Sequence, residues 1–149
     1  KVILMWDKYE ARFSEPVKGS VLLDAFEKAA KEIGYRLKQE PYVENTFSYA
    51  IREEASHNGD YRSAIMASCD NFRGKGIITS SFTGIQDFCL IASPEKEYSS
   101  LRLVRYTEPE MMGFDSKWRM KKFDKKLDEF KNCMEKHLGV EIGGGFLLR

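Results

Sequence analysis

Apolar residues recur along this chain with two different periods, and the switches between them outline the elements. From Val2 to Phe13 the period is two. Val2, Leu4 and Trp6 alternate with Ile3 and Met5, and Tyr9, Ala11 and Phe13 continue the pattern, which predicts a strand. The wholly apolar VILMW at its start suits a strand covered on both faces. SEPVKGS, with Pro16 and Gly19, reads as the break that ends it. The period then becomes helical: Leu22, Phe26, Ala29 and Ile33 share one face of VLLDAFEKAAKEI. Ser20 is a suitable N-cap for this helix and Gly34 a suitable residue just past its end. YRLKQE follows as a strand with Tyr35 and Leu37 inward.

The pattern is ambiguous over residues 45–73. FSYAIREEA alternates like a strand through Phe47, Tyr49 and Ile51, yet its glutamates and alanines suit a helix. HNGD is a turn. Beyond it Tyr61, Ile65, Cys69 and Phe72 recur every three or four residues. That spacing favours a helix closed by Gly74, with a half-buried strand as the alternative. Clearer strands come next. GIITSSF and DFCLIAS flank the turn TGIQ as a hairpin, and SSLRLVRY alternates Leu101 and Leu103 with Arg102 and Val104. TEPEMMG is a loop. Asp115 or Ser116 then caps a last helix that ends at Gly139. Its apolar stripe is Met120, Phe123, Leu127, Phe130, Met134 and Leu138. VEI and FLLR each add a short strand around GGG.

These elements predict an α+β fold: an antiparallel sheet with helices packed on one face and a long C-terminal helix, in a helix-grip-like or ferredoxin-like arrangement. The 149 residues suit a single domain spanning 1–149. A hydrophobic content of 42% and an aromatic content of 13% exclude a disordered chain. VILMW is far shorter than the ~20 apolar residues of a membrane span, so no transmembrane segment is expected. The chain starts at Lys1 rather than Met, which leans its localisation toward a periplasmic or secreted, bacterial setting.

Catalytic and metal-binding patterns are absent from the sequence. His57 falls in a turn and His137 at the end of the last helix, neither beside a base and its orienting partner. Glu53 and Glu54, or Glu108 and Glu110, are carboxylate pairs only by adjacency. The GGG at Gly143 to Gly145 lacks the Lys-Ser/Thr of a phosphate loop. Cys69, Cys89 and Cys133 contain no C-x-x-C pair, so the expectation is no metal, no cofactor and no catalytic residue. A Cys69–Cys89 disulfide and three buried free thiols both fit the spacing.

Charge is where the sequence is unusual. The net charge is +1, too small for a dedicated nucleic-acid binder, which neutralises several phosphates at once. Yet KWRMKKFDKK, Lys117 to Lys126, holds six basic residues and one acidic residue. The dipole disfavours bases at a helix start. On a helical wheel Trp118 projects about 160° from Met120, near Lys125 and away from the apolar stripe. An aromatic among bases resembles the centre of a protein interface; a merely solvated face is the plainer alternative. Trp118, Arg119, Lys121, Lys122 and Lys125 are therefore the candidate partner-binding residues. The expected function is a non-enzymatic protein-binding domain, such as an inhibitor or immunity-type factor or an accessory subunit. It would bind an acidic protein partner and no nucleic acid, and a homodimer stays open. The alternative is a carrier of a small apolar ligand, with a cavity between sheet and last helix lined by Phe88, Leu90, Phe123 and Phe130.

Overall fold

A computed structural model of the chain describes residues 6–44, 49–59, 61–70, 88–106 and 116–148. The strands are β1 (Trp6–Lys18), β2 (Arg36–Pro41), β3 (Ile65–Asp70), β4 (Phe88–Ala92), β5 (Glu97–Tyr106) and β6 (Phe146–Leu148). Among the described residues the helices are α1 (Gly19–Glu32), α2 (Tyr49–Asn58) and α3 (Ser116–Leu138), with a 3-10 turn at Tyr61–Ser63. The strands form one sheet in the order β2-β3-β4-β5-β1-β6, with every neighbouring pair antiparallel. The α+β class, the antiparallel sheet and the long C-terminal helix are as the sequence predicts. VILMW before Trp6, the GIITSSF strand with its TGIQ turn, and the TEPEMMG loop lie outside the described residues.

Strand alternation sorts side chains onto two faces. Tyr9, Ala11, Phe13, Ala67, Cys69, Phe88, Leu90, Leu101 and Leu103 point to one of them. There they meet Leu22, Leu23, Phe26, Ala29 and Ala30 of α1 and Leu127, Phe130 and Met134 of α3. At its centre the Phe130 ring lies 5.0 Å from Phe88, stacked, and 5.1 Å from Phe26, edge-on. Tyr35 stacks on the other end of this column, 5.9 Å from Phe88. The opposite face carries a smaller cluster of Ile51, Ala55, Ala64, Cys89, Ile91 and Val104. The two long helices share the main core face, while α2 covers the other.

Three local features differ from the sequence reading. The segment favoured as a helix after HNGD contains a strand, β3, paired with β2 on one side and β4 on the other. Its residues are compatible with either period, and ladder bonds on both sides decide for the strand. SEPVKGS does not end β1. The pairing with β5 slips between Arg12 and Val17, leaving Pro16 in a bulge where its missing N–H breaks no ladder bond. Ser14 N–H donates instead to Glu141 O at 2.9 Å, and Phe13 bridges Ile142 on that side. Finally, α1 starts at Gly19 without a side-chain cap. Its first donors find backbone acceptors in the β4–β5 connection: Gly19 N–H to Lys96 O at 2.6 Å and Ser20 N–H to Pro94 O at 2.9 Å. At the other end Gly34, with φ +82°, closes the helix as expected.

Candidate functional site

Helix α3 carries all five residues singled out in the sequence, in the first half of its 23 residues. Its second half is fixed to the sheet by Leu127, Phe130 and Met134. Lys136 pairs with Glu32 of α1 at 2.5 Å, and Glu135 accepts the Ile142 N–H at 2.8 Å. At 100° per residue, Trp118, Lys121 and Lys122 fall within about 60° of Lys125 in helical register, and Arg119 about 120° away. Lys125 is exposed and makes no ion pair among the described residues. Its neighbour Lys126 is half-buried, near Glu129 at 3.5 Å and 5.9 Å from the Tyr35 ring centroid. The side chains of residues 116–124, including Trp118, Arg119, Lys121, Lys122, Met120 and Phe123, lie outside the described residues.

A second polar constellation lies on the α2 side of the sheet. Glu54, buried on α2, receives Arg102 of β5 in a bidentate pair, Nε at 2.8 Å and Nη2 at 3.1 Å. Arg102 also reaches Glu10 of β1 at 3.0 Å, and Ser100 Oγ donates to the same carboxylate at 3.2 Å. The bonds to Glu54, reinforced by the charges of Glu54 and Glu10, hold the guanidinium above its usual pKa against the effect of burial. Lys8 contacts Glu53, the exposed neighbour of Glu54. Glu53 and Glu54 are adjacent in sequence but on a helix, and only Glu54 turns inward. The one legible signal was Arg102 itself, a charge between Leu101 and Leu103 on a strand.

Asn58 extends this constellation to the β4–β5 connection. Its side-chain amide donates to Ile91 O at 3.0 Å and to Tyr98 Oη at 2.8 Å, while its oxygen accepts from Ser93 Oγ at 3.3 Å. Ser93 N–H donates to Tyr98 Oη at 2.7 Å. Lys96 Nζ donates to the Asn58 carbonyl, placing a cation at the C-terminal end of α2. A shallow cleft of about 160 Å³ lies alongside, bordered by Glu54, His57, Asn58, Tyr98, Ser100 and Arg102. Donors and acceptors in the constellation satisfy one another, which is the pattern of a brace holding α2 to the sheet.

Cysteine and histidine chemistry is local. All three thiols are free, because Cys69 and Cys89 occupy opposite faces of the sheet and cannot bridge. Burial, with Glu54 and Glu40 nearby, pushes the Cys89 thiol up to about 12. Burial and a hydrogen bond to Glu32 push Cys133 to about 11. His57 is exposed; His137 Nε2 stands 3.7 Å from Glu32 Oε1. Among the described residues no three His, Cys, Asp or Glu side chains converge to hold a metal ion. None of the described helices is long and apolar enough to cross a membrane. A thiol titration checks the cysteine assignment: three thiols should react in denaturant, with or without prior reductant. A count of one without reductant would contradict it.

No family model, curated protein or solved structure matches this chain.

Proposed function

We propose that this domain binds another protein through the basic first half of α3 and catalyses no reaction itself. The partner is an acidic protein, and the domain acts as an inhibitor or immunity-type factor, or as an accessory subunit. One observation carries the reading. Lys125 is exposed and lies about 160° around the helix from the buried Leu127. Lys121, Lys122 and Trp118 share its side of the helix by register. Fixed behind this face, the second half of α3 supplies a rigid base, which lowers the ordering cost of association.

Changing Lys121, Lys122 and Lys125 together to Glu tests this reading. Stability should stay level or rise by a few tenths of a kcal/mol, because acids near a helix start suit the dipole. Recovery of the partner from the source organism's lysate should fall, and its salt dependence should weaken. Trp118→Ala should lose more affinity than any single lysine change. Equal recovery of the same partner by wild type and triple mutant would show the bases to be a solvated face.

A further inference from the structure

We propose that α2 is a cover over one face of the sheet. It separates from the sheet as a unit while α1 and α3 stay in place, and Cys89 is the thiol that this opening uncovers. The two sides of the sheet are held by different physics. On the main face α1 alone buries six apolar side chains, Leu22, Leu23, Ala25, Phe26, Ala29 and Ala30. On the other face the described side chains of α2 contribute two, Ile51 and Ala55. Regions with few buried apolar contacts open at the lowest free energy, ahead of global unfolding. Among the described residues α2 is also tied down by polar contacts: the Glu54–Arg102 pair, Lys8 on Glu53, and the Asn58 bonds to Ile91 and Tyr98. Such a latch can be released one group at a time, because removing one partner of a buried ion pair leaves the other uncompensated.

Cys89 lies under this cover. It is 3% exposed and packs in the cluster that Ile51 and Ala55 complete. Cys69, 1% exposed, sits one strand away on the main face, beneath the larger core. The registers Ser68↔Cys89 and Cys69↔Phe88 place the two thiols at adjacent rungs of the same pair of strands. They therefore share a backbone neighbourhood and differ in which layer shields them. While α2 is closed, Cys89 is sheltered and protonated. Opening exposes it together with the apolar strip of Ile91 and Val104, so the cover controls both thiol reactivity and access to a second face of the sheet.

The test is alkylation by a small maleimide under native conditions, in a Cys133→Ser background that removes the half-exposed thiol. Each site is followed by mass spectrometry. Cys89 should react at least about tenfold faster than Cys69, since the smaller layer opens first. Glu54→Gln should speed Cys89 by about another tenfold and leave Cys69 unchanged, because it removes the charge that Arg102 holds. Ile51→Ala should act in the same direction and stands in if the Glu54 variant does not fold. The proposal is overturned if Cys69 reacts as fast as Cys89 in the parent protein. It is equally overturned if either variant speeds both thiols alike, since exposure would then come from global unfolding.

Discussion

Replacing Gly19 with alanine should lower the stability of this domain by about 3–5 kcal/mol, adding the usual cost of overpacking to that of about two broken backbone hydrogen bonds. A Cβ at this position would stand 1.9 Å from the carbonyl oxygen of Ser93 and 2.8 Å from its carbon. These are backbone atoms and cannot swing aside as a side-chain tip can. Any shift that relieves the contact pulls Gly19 N–H from Lys96 O and Ser20 N–H from Pro94 O, the bonds that satisfy the start of α1. It also disturbs Ser93, whose hydroxyl bonds Asn58 and whose N–H bonds Tyr98. One methyl group would therefore strain α1 and the α2 brace together. Gly144→Ala is the matched control: its Cβ would meet nothing within 4 Å. Urea unfolding of both variants decides the matter. Equal midpoints for Gly19→Ala and the parent protein would show that α1 does not depend on this close approach.

The same position shows where sequence reading stops. Gly19 looked like part of a chain break, and Ser20 like the cap of the helix behind it. The actual acceptors lie in the 93–96 connection, more than seventy residues away, and no local pattern encodes them. Arg102 and Glu54 are likewise 48 residues apart. In the sequence Glu53 and Glu54 pair only by adjacency, and nothing there says which of the two turns inward. Elements with long apolar repeats behaved differently. Leu101 and Leu103 on β5 and Leu127, Phe130 and Met134 on α3 bury as their spacing predicts, since one period alone fits each run. β3 had no such advantage. Ile65, Ala67 and Cys69 alternate, while Ile65 and Cys69 also fall at helical spacing, so hydrogen bonds from β2 and β4 make the choice. Of the proposed binding face, the sequence conveyed the position of the bases and the opposite placement of the core stripe. Its partner's identity depends on a surface this chain does not contain.

Phe130→Ala should cost about 3–5 kcal/mol, the range for truncating a fully buried phenylalanine. Phe130 is 0% exposed and touches both neighbouring layers, Phe26 of α1 edge-on and Phe88 of β4 face-on. Truncation removes both ring contacts and leaves a void that none of these elements can close alone, because α1 and α3 pack on each other as well as on the sheet. The loss compares with a total stability of about 5–15 kcal/mol for a typical domain, so the variant should unfold at a much lower urea midpoint with a similar slope. A midpoint within error of the parent would remove the assignment of Leu127, Phe130 and Met134 as the attached stripe. Consequences reach the proposed binding face, because the bases at the start of α3 are held in place by this attachment. A folded Phe130→Leu variant separates the two effects. It keeps an apolar side chain at the contact and should retain α3 on the sheet, so its partner binding should match the parent even though its stability is lower. Binding lost in that folded variant would place the recognition surface at the core seam of α3 and sink the assignment to Lys121, Lys122 and Lys125.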